Sequence, residues 1–303
     1  MAHINDQETI NAQEEQNRLL TRYEPGRFVE TAGFREAGAF GLTVSAHDSH
    51  TKSGVVIKYQ KSLFAFKRKL EVFRRMRGDL HFPNLIEYYG KVDPTHGMLY
   101  CLAMTNEGVS IHNLTRGTAT RWSNGNCVRL LHQLVKAVEA LHNMGYCHRD
   151  IHPGNILLKR ESGGLLTVKL IDFGVAENLY PPPHPAYDWS SWQASLQTCQ
   201  GMPYTCFDDL TSAVFILFKV INIDPFGARR HWKENKELFD QNPLSWFEED
   251  TMWIAEIYGE IQKQRSHGVD YSGLFRMLGI SVPGIPPLSP MEYEMTGNQI
   301  SIL

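Results

Sequence analysis

The chain has 303 residues, 42% of them hydrophobic, with a formal charge of −3. That length suits one large domain or two lobes, and the composition supplies a core. The near-neutral charge excludes a strongly basic DNA-binding module and gives no net pull toward anionic membranes. No apolar run approaches the ~20 residues of a membrane span. The start, MAHINDQETINAQEEQNRLL, has no apolar stretch of a secretion signal. Cys101, Cys127, Cys147, Cys199 and Cys206 are scattered, odd in number and without CxxC pairs, the pattern of reduced thiols inside a cell. Zinc is not expected.

In chain order, residues 1–24 form a flexible polar extension, mobile or helical, rich in Gln, Asn and Glu. RFVETAG, FGLTVSA and GVVIKYQ are short β-like runs broken by Gly, Ser, Asp and His. SLFAFKRKLEVFRRM has helical spacing, with Leu63, Phe66, Leu70 and Phe73 on one face. MLYCLAM reads as a buried strand. CVRLLHQLVKAVEALHNMG is an amphipathic helix closed by Gly145. LTVKLIDFGVA is a strand and turn, followed by a loop holding PPPHP. TSAVFILFKVI is apolar nearly all round, as a buried helix is. PGIPPLSP begins a tail expected to wander over the surface.

Phosphoryl transfer needs metal held against phosphates, a positive charge on them, and a carboxylate aimed at the acceptor hydroxyl. HRDIHPGN at 148–155 supplies two of these. Asp150 would orient the acceptor's proton and Asn155 would hold Mg²⁺, although Asp and Asn also serve as plain turn formers. DFG at 172–174 follows the strand VKLI, and 172 − 150 = 22 residues separate the two aspartates. Asp172 would bind the Mg²⁺ that bridges the phosphates. Lys58 ends VVIK and would meet nucleotide phosphates, fixed by Glu71 thirteen residues on (71 − 58 = 13). A solvated helix glutamate is the plainer account of Glu71, since KRKLEVFRR is full of charge. EAGAFGLTV would place Gly38, Phe40 and Gly41 in a hairpin whose N–H groups cover phosphates.

In that order these stretches resemble the protein kinase superfamily, over about residues 27–280. AMTNEGVSI at 103–111, DDL at 208–210 and VDYSGLFRML at 269–278 draw the resemblance toward its casein kinase I and vaccinia-related kinase branch. The resemblance implies an α+β, two-lobed kinase-like fold at 25–282, followed by a tail at 283–303. The small β-rich N-lobe, with one helix, covers about 25–104, and the larger, mainly helical C-lobe about 105–282. It implies Met104 as gatekeeper, Thr105, Asn106 and Glu107 as hinge, Val56 and Leu157 on either side of the adenine, and Asp208 bracing the catalytic loop. Arg149 would meet an activation-loop phosphate on Ser190, Ser191, Ser195 or Thr198, or else bond local carbonyls.

Three departures stand out. His152 replaces the lysine usual two residues after the catalytic aspartate, and HPGNIL resembles the loop of aminoglycoside and choline kinases. His152 either donates to phosphate or packs the loop. No Ala-Pro-Glu is found, although GMPYTC at 201–206 resembles the turn that precedes the buried helix. Glu36 replaces the first loop glycine. PPPHP, Trp189 and Trp192 read as a stiff, packed loop. The expectation is an ATP- and Mg²⁺-dependent serine/threonine protein kinase inside the cell, cytoplasmic or nuclear. It would be a monomer acting on a protein, without nucleic acid or membrane partners. A small-molecule hydroxyl kinase and a nucleotide-binding pseudokinase are the alternatives.

Overall fold

The computed structural model describes residues 2–38, 41–117, 121–180, 191–297 and 299–303, with the side chains of 2–10 and 38 left aside. Two compact units divide the chain, Met1–Asn106 and Glu107–Leu303. Among the described residues no helix is long and apolar enough to cross a membrane.

The first unit is a five-stranded antiparallel sheet with two helices. Its strands are β1 (Phe28–Gly38), β2 (Gly41–Asp48), β3 (Ser53–Gln60), β4 (Leu85–Asp93) and β5 (Gly97–Thr105), in the order β1-β2-β3-β5-β4. Side chains alternate between faces along a strand. Val55, Ile57 and Tyr59 therefore join Val44, Ala46, Tyr89, Leu99, Cys101 and Ala103 in one buried layer. Val56 and Lys58 fall on the opposite face. The leading extension is helix α1 (Ala2–Leu20), and its last turns are docked. Leu19 is fully buried and Gln16 Nε2 donates to the Tyr100 hydroxyl at 2.8 Å. Just beyond it, Arg22 pairs with Glu87 and lies 4.0 Å over the Tyr88 ring, and Tyr23 stacks on Tyr89. Composition alone suggested a flexible segment, and one leucine with flanking aromatics is enough to anchor it. Helix α2 (Leu63–Arg75) begins at Ser62, whose hydroxyl accepts from Ala65 N, and it packs Phe66 against Tyr88 and Tyr100.

The second unit opens with β6 (Val109–Ser110), α3 (Ile111–Thr115) and α4 (Asn124–Asn143), the last capped by Ser123. Gly145 stops α4 with φ +87°, a conformation that favours glycine. Then come β7 (Tyr146–Cys147), β8 (Ile156–Arg160), β9 (Leu166–Leu170), β10 (Glu177–Asn178) and α5 (Leu196–Cys199). Helices α6 (Cys206–Val220), α7 (Trp232–Gln241), α8 (Met252–Gln264) and α9 (Tyr271–Ser281) follow, and then β11 (Tyr293–Thr296) and β12 (Gln299–Ile302). The apolar run predicted to be buried is α6. Phe215 and Phe218 pack with Phe226 and Phe239, and Tyr258 of α8 stacks on Phe215. The tail does not wander. Asn126 of α4 donates to the carbonyls of Glu292 and Leu303, Arg129 pairs with Glu292, and Met291 and Ile302 are buried. An apolar residue at each end of this stretch turns a proline-rich segment into a docked hairpin.

Candidate active site

The second unit holds the catalytic-loop candidates. Asn155 Nδ2 donates to the backbone oxygen of Asp150 at 2.9 Å and to its carboxylate at 3.2 Å. The Asn155 carbonyl accepts from Ile171 N at 2.9 Å, and the His148 ring meets the Ile171 carbonyl at the same distance. These bonds lock the 148–155 loop to the residue just before Asp172. Phe173 is buried edge-on to His148, and Asp172 Oδ1 accepts from Gly174 N at 3.2 Å. Arg149 and Asp172 have φ +70° and +63°, left-handed values costly for residues with a Cβ. Such strain persists only where the surroundings over-determine it, and it gathers at functional sites.

His152 does two things. Its Nδ1 accepts from Gly154 N at 3.0 Å, which leaves the proton on Nε2, and Nε2 points to Asp150 Oδ2 at 3.7 Å. Burial lowers its pKa, against the pull of Asp150, and so favours this neutral tautomer. The ring thus props the loop and presents a donor beside the candidate base.

The brace beneath the loop is Asp209, not Asp208. Asp209 is fully buried and accepts from His148 N (2.7 Å), Arg149 N (2.9 Å), the Tyr204 hydroxyl (2.7 Å) and the His142 ring (2.9 Å). Burial alone would raise its pKa, yet the His142 contact and its companion bonds bring it below the ordinary value. Asp208 lies about 100° round the helix. It caps α6 through Thr205 N at 2.6 Å, accepts from Ser195 Oγ at 2.5 Å and pairs with Arg265, just past α8, at 2.9 Å. Adjacent aspartates at a helix start look alike in sequence, and only the helix register tells them apart. His142, Cys147 and Asp209 bring possible ligand atoms within 4.8 Å of one another. Asp209 is nevertheless saturated by donors, so the group is a hydrogen-bonded core.

The segment after Asp172 is held from several sides. Arg149 Nη1 pairs with Glu177 of β10 at 2.5 Å, an internal carboxylate where a phosphate was one expectation. Ser195 is fully buried and bonded to Thr198 and Asp208, and Thr198 is also buried, so neither offers an open hydroxyl. Ser191 is partly exposed and Trp192 half-buried, while Ser190, Trp189 and PPPHP lie outside the described residues. Lys236 of α7 is 1% exposed and donates to the carbonyls of Ser191 (3.0 Å) and Ala194 (2.5 Å). It also lies 3.5 Å from the Cys199 sulfur. Sequence reasoning passed over Glu177, Arg265 and Lys236, because a lone charge carries no motif.

In the first unit, Val56 sits opposite Met104, and Lys58 opposite Leu102 and Thr43. Cross-strand partners share a face, so Val56, Lys58 and Met104 lie together on the side away from the apolar layer. Gly41 has φ +134°, and a Cβ there would strike the Tyr59 carbonyl. Gly38 pairs with Gly41 at the strand ends, and Phe40 lies outside the described residues. Thr105 and Asn84 exchange hydrogen bonds at 3.0 and 2.8 Å, and Asn106 is exposed. In the second unit Glu107 turns its carboxylate inward to Lys159 at 3.0 Å. Leu157 stays half-exposed between fully buried Ile156 and Leu158.

Glu71 needs correction. It stands on the outer side of α2, 58% exposed, and accepts from Arg75 at 3.0 Å. The buried face carries Phe66, Lys69, Leu70, Val72 and Phe73, with Lys69 at 2% exposure. Two residues rotate a helix by about 200°. The spacing from Lys58 therefore selected the solvated glutamate and missed the lysine that faces in.

The protein kinase domain model matches residues 36–257. The chain belongs to the protein kinase family. Within that family it is 28% identical, over 60% of its length and 62% of the relative's, to a probable casein kinase I homolog of Encephalitozoon cuniculi. It is 24% identical to cyclin-dependent kinase F-3 of Oryza sativa subsp. japonica, over 62% of the chain and 43% of the relative. A probable serine/threonine-protein kinase zyg-1 of Caenorhabditis briggsae is 30% identical over 47% of the chain and 20% of its own length. Each match spans less than two thirds of the relative's own length. In this protein kinase domain the sheet-rich and helical units are those of the expected two-lobed α+β fold.

Proposed function

We propose that this protein kinase transfers the γ-phosphoryl group of ATP to a serine or threonine hydroxyl of a protein. The observation that carries the reading is the 148–155 loop, in which Asn155 is bonded to Asp150 and tied to the residue before Asp172. Asp150 orients the acceptor hydroxyl and takes its proton, with His152 holding the loop and donating beside it. Asn155 has its Nδ2 committed to Asp150, which leaves Oδ1 as an oxygen donor. With Asp172 it makes an oxygen set of the kind Mg²⁺ takes. When bound, the metal would neutralise developing phosphate charge.

From the first unit, Lys58 supplies positive charge to the phosphates, Gly38 and Gly41 allow close backbone approach, and Val56 and Met104 give an apolar contact for the base. Thr105 and Asn106, and Glu107 and Leu157 of the second unit, complete the nucleotide contacts. Glu71 has no part in this reading. Serine/threonine specificity rests on the relatives named above, and all five cysteines being free thiols supports a reducing compartment.

The test is labelling with Mg²⁺ and γ-labelled ATP, with and without casein, beside Asp172→Asn. Label on serine or threonine that is lost in the variant is the expected result. Label that persists in the variant overturns the metal role. Acceptor-stimulated ADP release with small hydroxyl compounds, and none with protein, would make it a small-molecule kinase. Tight ATP binding without turnover would make it a pseudokinase.

A further inference from the structure

All five cysteines are free, and four of them are held as neutral thiols. Burial pushes Cys101 and Cys127 up to about 12 and raises Cys147 as well. Cys206 is pushed up to about 11 by burial and then by Asp209 and Asp208. A protonated thiol is a poor nucleophile. Cys199 is set apart. It is partly exposed on α5, and among the described residues it is the cysteine with an amine in reach of its sulfur, Lys236 Nζ at 3.5 Å.

Lys236 is 1% exposed, yet it meets no carboxylate among the described residues. It donates to the carbonyls of Ser191 at 3.0 Å and Ala194 at 2.5 Å, and it lies 5.3 Å over the Phe226 ring. An ammonium taken out of water without a counter-charge is costly, and losing its proton relieves that cost. Burial lowers the pKa of Lys236, against the pull of Cys199. A desolvated amine is a nucleophile, and its nitrogen already stands at near-attack distance from the sulfur.

The pair also holds residues that share a cleft with the candidate base. That small cleft is lined by Arg149 and Asp150 together with Ser191, Gln193, Ala194 and Thr198. Lys236 holds the carbonyls of Ser191 and Ala194, and Cys199 directly follows Thr198.

We propose that peroxide joins Cys199 to Lys236 in a covalent cross-link, an S–N sulfenamide. First the Cys199 sulfur attacks one peroxide oxygen, the O–O bond breaks, and water leaves with the thiol proton. Sulfur is oxidised to the sulfenic acid and peroxide is reduced. The Lys236 nitrogen then attacks the sulfenic sulfur. The N–S bond forms, the S–O bond breaks, and the hydroxyl leaves as water with a proton from the nitrogen. The nitrogen keeps a single hydrogen, so it no longer serves both carbonyls, and the 191–198 wall of the cleft at Asp150 shifts. A thiol attacks the sulfur and returns the amine. The link forms whether or not the loop transfers phosphate, and its effect on labelling rests on that reading.

The experiment treats the whole chain with hydrogen peroxide, alkylates the remaining thiols and digests it without reductant for mass spectrometry. The expected product joins the peptides of Cys199 and Lys236, is lighter than their sum by two hydrogens, and is parted by dithiothreitol. Cys199→Ser abolishes it. So does Lys236→Arg, which keeps a cation and removes the nucleophile, and Cys199→Ser carries the test if Lys236→Arg fails to fold. Casein labelling by the wild type falls more than about tenfold after peroxide and returns with dithiothreitol, while Cys199→Ser is indifferent to peroxide. A sulfenic acid on Cys199 that dimedone traps, with no linked peptide, overturns the proposal. So does a disulfide from Cys199 to another cysteine, or a linked pair heavier by one oxygen, which is an S–O–N bridge. Labelling lost to peroxide in Cys199→Ser as in the wild type overturns the effect on the cleft. A linked peptide in a chain that labels nothing upholds the site and removes only the proposed reaction.

Discussion

The catalytic loop and helix α2 are both short, charged segments, and they are governed differently. In the loop, Asp150, Asn155, His148 and Arg149 each have a named backbone or side-chain partner, and Asp209 collects four donors from beneath. In α2 the outward charge, Glu71, accepts from Arg75 one turn away, while Lys69 is the charge turned inward. A loop fixes its residues by many specific bonds, so a motif read along the chain also fixes their geometry. A helix sets position by rotation, and an error of two residues moves a side chain to the other side.

The comparison can be broken in several places. Asp209→Ala has the largest expected effect. It strands buried donors at a loss of about 3–5 kcal/mol, which thermal melting would register as a fall of roughly 6–15 °C. A melt unchanged by Asp209→Ala would remove the brace. Lys69→Ala should cost about 2 kcal/mol through lost packing of its buried stem, read as a lower denaturant midpoint. Glu177→Ala leaves mostly buried Arg149 without this carboxylate and should cost about 1–3 kcal/mol. In the same reading, phosphatase treatment leaves the wild-type activity unchanged, whereas a clear loss after phosphatase would restore the need for a phosphate.

A smaller effect concerns His132, which is buried against Phe275 and whose pKa falls from 6.5 to about 4, first through burial and then through Lys136. A depressed histidine favours the folded state fully above pH 6.5, and that contribution fades as the pH falls from 6.5 toward 4. His132→Phe should flatten the melting temperature across that window. The smallest effect is Glu71→Ala, expected to stay within about 0.5 kcal/mol of wild type and to keep casein labelling within about twofold. A loss of a hundredfold or more would return Glu71 to the catalytic set.

The two-unit fold was legible because its signals are local: period-two strands around Lys58, the amphipathic α4 ended by Gly145, and the uniformly apolar α6. The 148–155 loop was legible for a related reason, its chemistry lying within eight consecutive residues. Asp209, Glu177, Arg265 and Lys236 were not, because each acts through a residue distant in sequence. Docking of the two ends was hidden too. Leu19 and Ile302 stand in short apolar groups that follow polar or proline-containing stretches, too brief to show a periodicity.

Lys236 gives the molecule a clock. Its ammonium is sealed under the carbonyls of Ser191 and Ala194, and burial lowers its pKa in the closed state. An amine-directed reagent meets it only during moments when that stretch of chain lifts. The rate at which Lys236 is tagged, set against an exposed lysine such as Lys61, therefore counts those openings. Anything that clamps the stretch would slow the count before any change in shape could be seen.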